Sequence, residues 1–319
     1  MYIFCTYFDS RYLTRGLALW ESLMEHAGEF ELHVLCLDDE AYDSLQTLAL
    51  PRIVPMPLRE LEEADPALLE VKPTRSTVEY YFTLSPALPL HIFRKRPDAD
   101  FVTYLDADLR FYGPIDPLFD ELGSRSIGII RHRFPPEIAF QSQWGVFNVG
   151  CVIFRNDAAA RTCLQWWRER CLEWCYDRLE GDRFADQKYL DQWPRRFEGV
   201  AVLEHAGANV APWNIGGSTL TLDGGRFFVD GTPLLFYHFH GLRRWNRALW
   251  QLGFGPYHIH PSPLLVNSMY RPYIQRLKGW SQRVQNEVHT IVRQSRKIRW
   301  TDVLRAPLDL VQRELIIVV

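Results

Sequence analysis

Short, nearly unbroken apolar runs alternate with amphipathic segments over most of the chain. "MYIFCTYF" and "ELHVLCLD" have the continuous apolar character of strands buried on both faces. Between them, "TRGLALWESLMEHA" places Leu17, Trp20, Leu23, Met24 and Ala27 at helical spacing, with Thr14 in position to cap the helix. "DDEAYDSLQTL" continues as a helix and "RIVPMP" as a strand. "RSTVEYYFTLSPALPLHIFRK" predicts a helix broken at its prolines, and "DFVTYLD" returns to strand. "SIGIIRH" and "FNVGCVIFRN" are two further strands, followed by a long helix, "AAARTCLQWWRERCLEWCYDRL".

Such alternation predicts an α/β fold with a mixed, mostly parallel Rossmann-type sheet covered by helices on both faces, and ligands bound beyond the carboxyl ends of the strands. "GFGPYHIHPSP" is rich in turn-forming residues and predicts the exit from this body. The expected organisation is therefore one domain over residues 1–252, then a linker and a helical C-terminal appendage over 253–319.

Composition narrows the class. With 319 residues and 47% hydrophobic content, the chain can bury a large core. Its net charge of −3 argues against nucleic acid as a partner. The charge is uneven: residues 271–319 carry 10 Lys/Arg against 4 Asp/Glu, and the remainder 26 against 35. No window reaches the length of a membrane span and the N-terminus lacks a signal-peptide pattern, so the expected location is the cytoplasm. The tail mixes these cations with Tyr273, Trp280 and Trp300, and "PLDLVQRELIIVV" sets Leu308, Val311, Leu315 and Val318 or Val319 on a helical stripe. That pattern fits a peripheral contact with the inner, anionic face of a membrane, or packing on the chain's own domain or on a second subunit. A homo-oligomer is compatible with it.

Six cysteines form no CxxC pair. Cys163, Cys171 and Cys175 recur at helical spacing beside Trp166, Trp167 and Trp174, where packing explains them better than a zinc cluster does.

The candidate chemistry begins at "VTYLDADLRFYGPIDPLF". Asp106 and Asp108 are two apart at the end of a strand, so they share a face where an open α/β sheet binds ligands. Two carboxylates so close repel unless water or a cation screens them. Far along the chain, "PLLFYHFHGLRRW" supplies His238 and His240, then Gly241, which permits close backbone approach, and the fixed charges of Arg243 and Arg244. Two carboxylates and an imidazole form a mixed oxygen and nitrogen set suited to Mn²⁺ or Mg²⁺, with positions left for a diphosphate.

In the order of these motifs the sequence resembles the GT-A-type glycosyltransferases, most closely the retaining enzymes of family 8, the group of glycogenin and bacterial lipooligosaccharide galactosyltransferases. The resemblance covers residues 1 to about 250. It implies a UDP-sugar donor and a role in building cell-surface polysaccharide on a glycan acceptor; a lipid-linked acceptor follows from the membrane reading of the tail. By the family pattern, Asp9 and Tyr12 hold the uracil and ribose, Asp106, Asp108 and His238 bind the metal, and Gly241 and Arg244 take the diphosphate. Asn148 and Gly150 of "FNVGCVIF" lie near the donor sugar, and Asp186 and Gln187 of "FADQKYL" beside the anomeric carbon.

Two positions depart from the pattern. Thr83 stands where the family carries an arginine on the helix before the acidic pair, with Arg75 as a substitute. "GIIRHRF" offers Arg131, His132 and Arg133 where the family tends to place an acid. "NVAPWNIGG", residues 209–217, is either a loop near donor or acceptor or a turn around a packed Trp213.

The implied reaction is departure of UDP with front-side attack by an acceptor hydroxyl and retention of configuration, Asp186 or Gln187 steadying the sugar. An inverting course would require a positioned base, for which His240 is available. The rival readings are a non-catalytic sugar-binding protein on the same fold and a sugar-nucleotide pyrophosphorylase. The latter is disfavoured because no glycine precedes Gly16.

Overall fold

The protein is described by a computed structural model covering residues 1–288 and 314–318. Its centre is a seven-stranded sheet built from the predicted apolar runs: β1 Tyr2–Phe8, β2 Phe30–Cys36, β3 Ile53–Pro57, β4 Phe101–Leu105, then, beyond a short β5 Leu109–Phe111 outside this sheet, β6 Ile127–Arg131, β7 Phe147–Arg155 and β8 Val200–Leu203. The order is β3-β2-β1-β4-β7-β6-β8. Strands β1 to β4 run parallel, β7 is antiparallel to both of its neighbours, and β8 is parallel to β6. The chain moves outward through β2 and β3 and returns on the other side of β1 as β4. The crevice between the ends of β1 and β4 is therefore the switch point where such sheets bind ligands.

Alternation along each strand sends side chains to two cores. On one face, Leu105 and Ile153 pack under α1 (Leu13–His26) and α2 (Asp39–Leu48). On the other, Val102, Tyr104 and Phe154 pack with the helices Thr77–Leu84, Ala87–Lys95 and Ala158–Glu173. The break expected at the prolines falls at Ser85 and Pro86. Asp38 caps α2 by accepting from the Ala41 N–H, and a capping box of Ser76 and Glu79 starts the next major helix.

Several local expectations change. Thr14 lies buried inside the first turn of α1 and is not its cap; the N-cap is Tyr12, whose side chain makes no capping bond. The long helix ends at Glu173, with Trp174 extended, so "WCYDRL" lies outside it. All six cysteines are free and buried.

The segment beyond Gly253 is closely joined to this body. Helix Arg271–Val288 lays Trp280 edge-on against Trp20 of α1, ring centres 5.9 Å apart, and buries Tyr273, Ile274, Leu277 and Val284. Its cations are engaged: Arg271 donates to the Ile317 carbonyl, Lys278 to that of Val318, Arg276 pairs with Glu21 and Arg283 with Glu287. Leu315–Ile317 is a strand paired antiparallel with Leu249–Gln251, not the end of a helical stripe. Trp300, Leu308 and Val311 lie outside the described residues. Among the described residues no helix is long and apolar enough to cross a membrane.

Candidate metal centre and donor crevice

The acidic pair sits where the fold predicts, just past β4 at the switch point. A turn closed by the Leu109 N–H on the Asp106 carbonyl, 3.2 Å, leads into β5. There the distant strand Phe236–His238 pairs antiparallel, with His238 opposite Leu109. That register delivers His238 to the carboxylates: its Nε2 is 3.0 Å from Asp108 Oδ1 and 3.7 Å from Asp106 Oδ2. One ligand atom from each of the three residues lies within 4.8 Å of the others, a geometry that can hold a cation. The donor set is chemically apt, two hard oxygens and one imidazole nitrogen.

Electrostatics in the cluster are divided. Burial alone would raise the Asp108 carboxyl, but the His238 imidazole against it holds it well below the usual carboxylate range, with Arg15 contributing. Asp106 is raised, by burial first and by Asp108 as well, with His238 opposing. Burial disfavours the charged imidazole of His238, yet Asp108 and Asp106 together raise its pKa. His238 Nδ1 is buried without a hydrogen-bond partner and faces Gly150, where a Cβ would lie 2.9 Å from it. Only a glycine leaves room for the ring. The Asp106 N–H also donates to the Gly150 carbonyl, 2.9 Å, joining β7 to the acidic turn.

Asn148 and Gln187 come together, Asn148 Nδ2 donating to Gln187 Oε1 at 3.3 Å, while Gln187 Nε2 donates to the Trp144 carbonyl at 3.2 Å. Asp186 is buried, with its carbonyl accepting from Trp167 Nε1 at 2.8 Å. Burial pushes its carboxyl up to about 7; Ser85 and backbone N–H groups oppose this and the Asp106 charge adds to it.

On the β1 side, Asp9 is buried and its carboxylate is already paired with Arg11, whose Nε donates to Oδ2 at 2.8 Å and whose backbone N–H donates to Oδ1 at 3.1 Å. Tyr12 is exposed, with the Arg15 guanidinium 4.4 Å from its ring centre. Arg15 itself is buried and donates to the Leu242 carbonyl at 2.7 Å, which anchors the turn after His240. Gly241 has φ of 74° and packs on Gly253, as its residue type requires. Arg244 donates to the Asn246 carbonyl and lies over Trp250, whereas the charge of Arg243 is felt by His240 and Tyr12.

The two departures are resolved structurally. Thr83 donates to the Glu79 carbonyl, and Arg75 is held against Tyr176 and the Leu172 carbonyl. Arg11 is the guanidinium whose charge is felt by Tyr81 on that helix. After β6, Arg131 lies over Phe147, and Arg133 is spent on the carbonyls of His205, Ala206 and Ala208. His132 is the buried member: it stacks on Phe134, meets Trp213 edge-on and hydrogen-bonds Asn148. Burial depresses its pKa to about 3, so a neutral ring stands at this position.

Trp213 is packed, as the turn reading of its loop has it. It is 2% exposed, and its ring packs edge-on against His238 at 5.1 Å, His240 at 5.4 Å and His132 at 5.1 Å. Arg15 and the hydroxyl of Tyr104, which donates to Asp106 Oδ1 at 2.9 Å, were not singled out from sequence. Only Tyr104 carried a legible signal, since it shares a strand face with Asp106.

No protein-family model matches the chain. Among solved structures it is similar to mouse xyloside xylosyltransferase 1, at 16% identity over 75% of this chain and 98% of that one, with a TM-score of 0.48. It is likewise similar to the galactosyltransferase LgtC, at 19% identity over 77% and 90% of the two chains, also with a TM-score of 0.48. In sequence it is 33% identical to the uncharacterized protein YfnD of Bacillus subtilis over 286 residues, 89% of this chain and 91% of the relative. It is 34% identical to YfnF of the same organism over 248 residues, 75% and 81% of the two lengths. The chain belongs to the family of YfnD and YfnF.

Proposed function

We propose that the protein is a metal-dependent glycosyltransferase that moves a hexose-type sugar from a UDP-sugar to an acceptor hydroxyl, with retention, in cell-surface glycan synthesis. The observation that carries this reading is the convergence of Asp106, Asp108 and His238 at the sheet's switch point. Asp106 and Asp108 supply negative oxygens and His238 an imidazole Nε2 to hold Mn²⁺ or Mg²⁺. The bound cation supplies fixed positive charge against the diphosphate leaving group.

The chain's own groups do the rest. Arg15 and Arg243 add positive charge on the side of Tyr12, where the nucleoside diphosphate would lie. At an effective dielectric near 20, a unit charge pair about 4 Å apart is worth roughly 4 kcal/mol before desolvation, enough to matter for a departing phosphate. Asn148 and Gln187 present paired amides to orient sugar hydroxyls. Trp213 and His132 close the floor of the crevice with apolar ring edges and help to exclude water.

We assign the reaction to the cytoplasmic side of a membrane with a lipid-linked acceptor, on the strength of the Arg and Lys residues in the sequence of 289–313. A panel of UDP-sugars with and without Mn²⁺, read for both released UDP and sugar gained by acceptor, tests the proposal. Manganese-dependent release from one donor with matching transfer supports it; no release from any donor leaves a binding protein.

A further inference from the structure

Residues 241–253 leave the site and return to it as a basic hairpin. Arg243–Arg244 pairs antiparallel with Leu249–Gln251, and Arg247 lies at the exposed tip. The neck of the hairpin is a backbone contact between two glycines. At Gly253, with φ of 93°, a Cβ would lie 2.5 Å from the His240 carbonyl oxygen and 3.0 Å from Gly241 Cα, so only glycine permits the approach.

The group that grips this neck comes from 61 residues further along the chain. Glu314 is buried. One of its carboxylate oxygens accepts from the Gly253 N–H at 3.0 Å and the other from the Phe254 N–H at 2.9 Å. Its own carbonyl accepts from the Leu252 N–H at 2.8 Å. Two successive backbone N–H groups converging on one carboxylate form an anion-binding nest, filled here by the protein's own side chain. The strand that follows, Leu315–Ile317, makes Leu249–Gln251 the middle strand of three, and the Val318 N–H donates to the Ala248 carbonyl at 2.8 Å. On the other side of the neck, Arg15 holds the Leu242 carbonyl.

Burying a carboxylate is costly, and the strand does not need one as an anchor: Leu315, Ile316 and Val318 are buried beside it. What the carboxylate adds is a fixed conformation at Gly253, the residue of the neck with the most backbone freedom to lose. We propose that Glu314 is a positioning residue for the donor, locking the neck of the hairpin so that Gly241 and Arg243 are in place before a nucleoside diphosphate arrives. This rests on the functional reading above and deepens it. A loosened hairpin occupies its binding arrangement only part of the time, and affinity for the diphosphate falls in proportion. The cation cluster is set by the pairing of β5 with Phe236–His238, before the neck in the chain, and stays intact.

Hydrogen exchange, with titrations of UDP at saturating manganese and of manganese without UDP, tests this. In free wild type the amides of 241–254 should be protected before UDP is added. Glu314→Gln keeps the side chain's volume but turns an amide donor toward one of the two backbone donors. It should speed exchange across 241–254 and weaken UDP binding by roughly 10-fold, what one lost charge-assisted hydrogen bond amounts to, with manganese affinity unchanged. Glu314→Asp, one methylene short of reaching both N–H groups, should act in the same direction and replaces the amide variant if that one does not fold. A merely structural anchor would lower stability and leave the UDP affinity of the folded protein alone. Unprotected amides in free wild type, wild-type UDP affinity in a folded variant, or manganese affinity falling as far as UDP affinity would each overturn the proposal. Failure of wild type to bind UDP would instead sink the functional reading, and exchange in the same variants would still decide whether Glu314 holds the neck.

Discussion

His238 Nε2 lies 3.0 Å from Asp108 Oδ1 because the two residues flank one antiparallel pairing, His238 opposite Leu109. The imidazole is placed by backbone hydrogen bonds and walled by Trp213, so its position is fixed before any ligand arrives. That rigidity makes substitutions in the cluster informative.

Asp108→Asn removes a direct ligand and leaves His238 facing an amide. Transfer and manganese affinity should fall by more than the roughly 10- to 100-fold typical of outer-shell damage. Steady-state rates across a manganese series check this. His238→Ala should match it, whereas His240→Ala, at an exposed ring, should keep manganese affinity and lose only what His240 gives to substrate.

Gly150→Ala tests the fit of the ring. The new Cβ would sit 2.5 Å from Asn148 Oδ1 and 2.9 Å from His238 Nδ1, so both must shift. A destabilisation of about 1–3 kcal/mol is expected from such overpacking, together with weakened manganese binding. Urea unfolding and metal titration of the same variant read the two effects separately.

His132 gives a pH dependence of definite sign. Its folded pKa is lowered by burial to about 3 from the ordinary 6.5. Below 6.5 the unfolded chain gains a proton that the folded protein refuses, so stability is lost as pH falls from about 6.5 toward 3, by about 1.4 kcal/mol per unit. In metal-free protein, His132→Gln should lose stability less steeply over that window. Parallel urea midpoints for the two proteins would refute the assignment.

Trp280→Ala tests whether helix Arg271–Val288 is part of the folded body. Trp280 is 8% exposed against Trp20, and truncating such a ring costs about 3–5 kcal/mol. Thermal unfolding should show one transition at a lower temperature. An unchanged midpoint would mean that the helix contributes little to the domain, and would return it to a membrane or a partner.

The central sheet was legible because its strands are short, continuous apolar runs that no helix period fits, as in "YIFCTYF" and "FNVGCVIF". Asp106 and Asp108 were legible for the same reason, since strand spacing puts them on one face at a sheet end. The partner of His238 was not derivable from local pattern: pairing of β5 with Phe236–His238 is a tertiary choice across more than a hundred residues. Residues set by tertiary contact also escaped, including Arg15, which reaches the Leu242 carbonyl from α1. Thr14 misled because a threonine before an apolar stripe reads as a cap, whereas the N-cap falls two residues earlier, at Tyr12, and the helix starts at Leu13. "LIIVV" was too short for its period to separate helix from strand, and pairing with Leu249–Gln251 decided for strand at Leu315–Ile317.

The most direct measurement is anomalous scattering from crystals of the protein grown with manganese and UDP. A manganese peak ligated by Asp106, Asp108 and His238, with the UDP diphosphate against it, is the predicted result. A crevice with UDP bound and no manganese between those three side chains, or manganese bound elsewhere, would contradict it.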